Sequence, residues 1–258
     1  MTYNDLTLER DGNIAVLTLN RPTKRNALSM NLMEEILAAA ADVAADASVG
    51  ALVIRGSGPA FCAGHDLGEM TGCDVPTYRR IFDTCTRMMN ALQALPQPVI
   101  AQVHGIATAA GCQLVATCDL AVAEEGARFA TPGVKIGLFC STPMVPLTRA
   151  VGRKKALEML LTGDFVDAHE ARAFGLVNRV VSPSALAEET MALARKVAAA
   201  SPLVLGLGKQ AFYTQIDQPQ FQAYAYAKEV MSLNAVAADA QEGMCAFLEK
   251  RPPAWTGR

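Results

Sequence analysis

The chain has no long apolar run. A membrane-crossing helix needs about twenty apolar residues, and the best stretch here, Ile36 to Ala41, stops at Asp42. There is no excess of charge: 23 Lys+Arg face 25 Asp+Glu, a formal net charge of −2. That balance gives no overall attraction to nucleic acid or to an anionic membrane. Neither is expected as a partner, and an acidic ligand would have to be held by local groups. Histidine is scarce, with only His65, His104 and His169 far apart in the chain, and there is no CxxC pair. No metal site is expected from that supply. Seven cysteines, odd in number and without clustered spacing, do not make a disulfide framework and point to a reducing compartment. The opening MTYNDLTLERD is mixed and acidic, without a basic segment followed by an apolar one. It does not read as a signal or transit peptide, so a soluble cytoplasmic protein is the expectation.

What is present suits a folded α/β chain. Hydrophobic residues make up 51% of the 258 and charged residues 19%, which excludes a disordered tail. Leu6–Leu8 and Ile14–Leu19 alternate around Asp11-Gly12-Asn13, the pattern of a hairpin. Ser29 stands where an N-cap belongs, before Leu32, Met33, Ile36 and Leu37 at helical spacing. The short apolar runs Ala51–Ile54, Pro98–Val103 and Leu120–Ala123 predict strands buried on both faces. An amphipathic stretch, Thr77–Leu95, separates the first two. Strands alternating with helices imply parallel pairing with right-handed crossovers. Beyond Thr142 helices dominate, over 144–151, 154–161, 168–174, 184–200, 203–216 and a broken 221–250, with one late strand at 176–181. The division expected is a core over 1–200 and a helical region over 201–258.

Two segments join a buried strand to a helix through small residues. They are Pro59-Ala60-Phe61-Cys62-Ala63-Gly64-His65-Asp66-Leu67 and His104-Gly105-Ile106-Ala107-Thr108-Ala109-Ala110-Gly111-Cys112-Gln113. Ligands of open α/β sheets gather outside the carboxyl ends of strands, and helix N-termini there present free N–H groups. Two such groups facing one point would make an oxyanion hole. Tight helix–strand packing accounts for small residues equally well.

Several pieces in order bring a family into view: RPTKRNALS (21–29), GPAFCAGHDLGEM (58–70), PQPVIAQVHGIATAAGCQLVATCDLAVA (96–123), ARFATPGVKIGL (127–138), LTGDFVDAHEARAFGLVNRVV (161–181) and EGMCAFLEKRPPAW (242–255). Over nearly its whole length the chain resembles the crotonase (enoyl-CoA hydratase/isomerase) superfamily. Within it, it looks most like the enoyl-CoA-hydratase-domain-containing proteins that lack the hydratase glutamate pair. The resemblance implies the crotonase-like (ClpP/crotonase) α/β spiral of ββα units with a helical C-terminal trimerisation region. It also implies a homotrimer or homohexamer, a lyase lineage in fatty-acid metabolism, and an acyl-CoA substrate with coenzyme A as its carrier and no separate cofactor. The N–H groups of His65 and Ala110 match the two family positions that hold the thioester carbonyl. Ala63, Asp66, Leu67 and Gly111 flank them. Lys24 and Arg25 match a CoA-facing loop, while Phe247 and Lys250 match a C-terminal pair that reaches the CoA of a neighbouring subunit. For Lys24, Arg25 and Lys250, ordinary surface charge is the alternative.

The chain departs from the hydratase pattern at both catalytic carboxylates. Gln113 and Gly133 stand where the resemblance places two glutamates. Gln113 accepts and donates hydrogen bonds but takes no proton at neutral pH, and Gly133 has no side chain. If only the carboxylates are missing, Gln113→Glu with Gly133→Glu should raise hydration. The His65 imidazole is a candidate substitute acid or base, provided that it faces the acyl group. Asp66 reads as a helix cap or a functional carboxylate. Cys140 is a nucleophile or an inert buried thiol, and Ser141 lies beside it near a position where some family members carry a working carboxylate. Three readings of function follow. One is an acyl-CoA enzyme that stabilises a thioester enolate or oxyanion. Another is a thioesterase or decarboxylase that needs only the oxyanion hole. The last is a non-catalytic acyl-CoA binder.

Overall fold

A computed structural model describes residues 3–258. The chain runs β1 (Leu6–Asp11), β2 (Ile14–Leu19), α1 (Met30–Ala45), β3 (Ala51–Gly56), α2 (Val75–Ala94), β4 (Val99–Val103), β5 (Ile106–Thr108), α3 (Ala110–Thr117), β6 (Leu120–Glu124) and β7 (Arg128–Ala130). It continues through α4 (Met144–Ala150), α5 (Arg153–Thr162), β8 (Val166–Asp167), α6 (Ala168–Ala173), β9 (Arg179–Val181), α7 (Leu186–Ala198), α8 (Pro202–Gln215), α9 (Gln220–Ala235) and α10 (Ala238–Glu249).

One sheet has the order β1-β2-β3-β4-β6-β9, antiparallel in the first hairpin and parallel thereafter. A smaller sheet, β5-β7-β8, stands apart and was not expected from the sequence. Its strands have three, three and two residues, too short to show a period of two.

The apolar runs are continuous because both faces of the large sheet are covered. Leu17, Leu19, Leu52 and Ile54 face a core shared with Leu32 and Ile36 of α1 and Met88 and Leu92 of α2. The alternate residues Ile14, Val16, Ala51 and Val53 face Leu193, Ala194 and Ala198 of α7. This is the two-residue alternation of a strand, apolar on each side. Helix α1 starts where expected, with the Ser29 Oγ accepting from the Leu32 N–H at 3.1 Å. Asp74 does the same for α2, accepting from the Thr77 N–H at 2.9 Å.

The helical end is tied to the core by ionic groups. Lys209 of α8 pairs with Asp119 at 2.7 Å, and the Tyr213 hydroxyl donates to the same carboxylate at 2.7 Å. Buried Asp239 of α10 accepts from the Ser201 hydroxyl and from the N–H groups of Thr256 and Gly257, so the last residues fold back over α8. The expected broken helix over 221–250 is two helices, α9 and α10. No residue of α9 is buried, and Phe221, Tyr224 and Met231 are largely exposed.

Candidate active site

The loop after β3 lies against the short strand β5, and together they carry the backbone donors. The Cys62 N–H donates to the Ile106 carbonyl at 3.2 Å, and the Thr108 N–H donates back to the Cys62 carbonyl at 3.0 Å. On its other side the loop is strapped to residues 25–28. The Leu28 N–H donates to the Gly64 carbonyl at 2.7 Å, and the Asp66 N–H donates to the Leu28 carbonyl at 3.0 Å. This strap uses the groups on either side of His65 and bypasses the His65 N–H, which has no protein acceptor among the described residues. Buried Asn26 pins the arrangement. Its amide Nδ2 donates to the carbonyls of Ser57 and Ala60, both at 2.8 Å, and its Oδ1 accepts from the Arg21 N–H at 2.9 Å.

The second donor is the first residue of α3. Ala110 carries one of the four N–H groups that a helix start leaves without an intrahelical partner. Ala109, just before it, has φ 50° and ψ −118°, a left-handed conformation that L residues rarely adopt. It is held there by its N–H bond to the Ala130 carbonyl at 2.9 Å. Gly64, at φ 95°, lets the two loops close. A Cβ at that position would lie 2.9 Å from the Ala109 Cβ and 3.3 Å from the Ala110 nitrogen. Sequence inspection gives no sign of the Ala109 conformation, since alanine is not a turn-forming residue.

A cavity of about 510 Å³ opens at these donors, lined by Ala63, His65, Leu67, Ala110, Gly133, Cys140 and Ser141 among the residues expected at the site. Phe82, which lies in none of the sequence motifs, also lines it, together with Met70, the last residue of the 58–70 motif. Of the remaining expected residues, half-buried Asp66 and buried Gly111 and Gln113 do not line the cavity, and Lys24, Arg25, Phe247 and Lys250 stand on the exterior of the chain. Among the described residues, no Asp or Glu lines the cavity. Its one lysine, Lys135, pairs with Asp164 at 2.7 Å.

Each expected side chain now has surroundings. Asp66 caps the short turn Leu67–Glu69, accepting from the Gly68 N–H at 3.1 Å, and pairs with Arg21 at 3.0 Å. Burial would raise its carboxyl, but the Arg21 guanidinium and the Gly68 N–H hold it below the usual carboxylate range. Burial pushes the Cys140 thiol up, opposed by the Gly133 backbone, a balance that favours the thiol over the thiolate. Gln113 is buried one helical turn beyond Ala110, with its Oε1 unpartnered. Gly133 is closed in. A Cβ there would overlap the Leu138 carbonyl oxygen and lie 2.8 Å from the Cys140 Sγ. The expectation that two added glutamates would suffice is therefore corrected, because position 133 has no room for a side chain. The His65 ring meets Phe82 in a T-shaped contact, centroids 5.6 Å apart, and neither ring nitrogen has a hydrogen-bond partner. Burial lowers its pKa to about 4, the Leu28 backbone opposing from outside hydrogen-bond geometry. Among the described residues no group of three His, Cys, Asp or Glu side chains could hold a metal ion.

Known proteins place this architecture. The zebrafish (Danio rerio) enoyl-CoA hydratase domain-containing protein 3, mitochondrial, is 48% identical over 257 residues, covering 98% of this chain and 88% of the relative. A crystal structure of the human protein of that type (ECHDC3) superposes with a TM-score of 0.95 at 44% identity, covering 98% of this chain and all of the other. The crystal structure of a Mycobacterium smegmatis enoyl-CoA hydratase superposes at 0.96 with 52% identity, covering 98% and 99% of the two chains. The mitochondrial designation of the vertebrate relatives overturns the cytoplasmic location expected from the N-terminus. The spiral α/β architecture is the crotonase fold. The family model for enoyl-CoA hydratase/isomerase matches residues 9–258, and by that match and these relatives the chain belongs to the enoyl-CoA hydratase/isomerase family.

Proposed function

We propose that this protein binds an acyl-CoA with its thioester carbonyl between the N–H groups of His65 and Ala110. In this reading it stabilises the enolate or oxyanion without hydrating a double bond at hydratase rates. The supporting observation is the combination of two unpartnered backbone donors at a cavity into which no carboxylate projects. Fixed donors aimed at a developing negative oxygen stabilise it strongly in a dry cavity and need no reorganisation during the reaction. Syn-addition of water needs a group to take a proton and a group to give one. Gln113 and Gly133 supply neither.

The apolar lining suits an acyl chain, and exposed Leu67, Ile136, Leu138 and Phe139 extend that surface at the rim. Lys24 and Arg25, exposed beside the strap, are proposed to meet CoA phosphates as charge-assisted contacts. A homotrimer or homohexamer is part of the same proposal. Phe221, Met231, Leu233 and Phe247 are each more than two-thirds exposed in the single chain, and an interface would cover them. There Phe247 and Lys250 would face the CoA of the adjoining copy.

Calorimetry with butyryl-CoA and free CoA, beside turnover of crotonyl-CoA, tests the reading. The expected result is tighter binding of the thioester than of CoA, and hydration at least about a hundredfold below a glutamate-bearing hydratase. Hydration at ordinary hydratase rates, or no binding of either ligand, would overturn it.

A further inference from the structure

The cavity at the two donors has an outer and an inner end. Leu67, Ile136, Leu138 and Phe139 are exposed and form the rim, whereas Met70 and Cys140 are buried and His65 and Phe82 half-buried. A carrier bearing phosphates stays in solvent and leaves by the rim. The acyl chain, joined to the held carbonyl, then runs inward. The inner end has no charge to offer it. Among the described residues no Asp, Glu or Arg lines the cavity, and Lys135 is exposed and pairs with Asp164 at 2.7 Å. Both nitrogens of the His65 ring are buried, and burial lowers its pKa to about 4, so the ring is uncharged at neutral pH. A carboxylate at the end of an acyl chain would enter this space with no cation to meet it, which is costly.

Phe82 is the fixed part of that inner end. Its ring meets the His65 ring edge-on, centroids 5.6 Å apart, and stacks on Tyr78 with centroids 6.5 Å apart and planes 14° apart. Such ring pairs hold their geometry through their own attraction. Tyr78 and Phe82 both pack against the main core, and the Tyr78 hydroxyl donates to the Met70 carbonyl. Helix α2 therefore holds Phe82 directly and Met70 through Tyr78. A methionine alone adapts to what enters, whereas rings packed to core density do not recede. We propose that Phe82, braced by Tyr78 and the His65 ring, is the stop that sets acyl length, and that the site takes an uncharged aliphatic acyl chain and refuses one ending in a carboxylate. The proposal rests on the acyl-CoA reading. It removes the carboxyacyl substrates that a decarboxylase would need.

Calorimetry on the intact protein with saturated thioesters from acetyl-CoA to dodecanoyl-CoA, beside free CoA, tests this. Succinyl-CoA is compared with butyryl-CoA, a chain of the same carbon count without the terminal charge. In the wild type, affinity should rise by up to about fourfold per added methylene and then break, falling for longer chains. Succinyl-CoA should bind at least about tenfold more weakly than butyryl-CoA. In Phe82→Ala the break should move to longer chains, raising the ratio of dodecanoyl-CoA to butyryl-CoA affinity at least about tenfold. Phe82→Leu should move it the same way by a smaller step, and Phe82→Trp should move it to shorter chains. A purely structural role for Phe82 would weaken every chain length alike. Should Phe82→Ala not fold, Phe82→Leu keeps an apolar side chain there, and the wild-type series depends on neither variant. Affinity that climbs through dodecanoyl-CoA without a break, a break at the wild-type length in the folded Phe82 variants, or succinyl-CoA bound as tightly as butyryl-CoA would each overturn the assignment while leaving the acyl-CoA reading intact. Failure of every thioester to bind more tightly than free CoA would overturn both.

Discussion

The carbonyl oxygen of Leu138 occupies the space that a side chain on Gly133 would need. The two residues are also joined in the opposite sense, the Leu138 N–H donating to the Gly133 carbonyl at 2.9 Å. Glycine at 133 and the inward path of the 138–140 loop are thus one feature. The loop fills the place beside the cavity from which a side chain at 133 would act, and the Cys140 Sγ lies against the same place.

Gly133→Ala should therefore destabilise the protein by about 1–3 kcal/mol, the cost of forcing extra volume into a filled site. Thermal or urea unfolding checks this. Gln113→Glu combined with Gly133→Glu should unfold more readily still and show no gain in crotonyl-CoA hydration. A folded double variant with raised hydration would show that the loop yields easily and that the closure is not decisive.

The C-terminal tail offers a second test with a built-in reporter. Asp239 accepts from the Ser201 hydroxyl at 2.6 Å, from the Thr256 N–H at 2.7 Å and from the Gly257 N–H at 3.0 Å. Burial opposes ionisation, but these bonds outweigh it and lower its carboxyl to about 2. A folded pKa below the unfolded value of about 3.9 contributes stability that is complete above the unfolded value. That stability is lost as pH falls through the folded one. Trp255, the only tryptophan, donates its indole N–H to the Ala199 carbonyl at 2.9 Å, so its fluorescence reports the tail. The emission should stay constant through neutral pH and shift to longer wavelength between about pH 4 and about pH 2. In Asp239→Asn the shift should be present already at pH 7. An unshifted Asn variant would show that the tail is held by Trp255 packing alone.

The sequence made the large sheet readable because each strand presents apolar residues on two covered faces, as Leu52 and Val53 do in β3. Helix α1 was readable from the Ser29 cap and its spaced apolar residues. Contacts between distant segments were not readable. Strands β5, β7 and β8 exist because they pair with one another, and their few residues carry no period. The motifs singled out His65 and Ala110, and the fold brings both to one cavity, since the path of these loops follows the small residues that permit it. They could not place Phe82 against the His65 ring or Leu138 over Gly133, because such contacts depend on how whole elements pack. Asp66 shows the same limit: its capping role was legible locally, whereas the pair with Arg21, 45 residues away, was not.

Ala109 joins stability to function most directly. Its left-handed conformation costs about 1–3 kcal/mol for a residue with a Cβ, and the Ala130 carbonyl and the start of α3 hold it in place. Glycine adopts that conformation without strain but raises the entropy of the unfolded chain, offsetting about 0.4–1 kcal/mol of the relief. Ala109→Gly should therefore stabilise the fold by about 1 kcal/mol, while Ala109→Val, β-branched at the same φ, should destabilise it by more than that. The two effects should separate at the ligand. Ala110 lines the cavity with its N–H unpartnered among the described residues, and a glycine at 109 loosens the peptide that carries that N–H. Butyryl-CoA should then bind Ala109→Gly more weakly than wild type although the protein melts higher, and calorimetry beside thermal unfolding reads both. A variant that gains stability and keeps full thioester affinity would show that helix α3 alone aims the donor. One that loses both would show that the Ala109 conformation is unstrained and that its methyl group packs against Gly64.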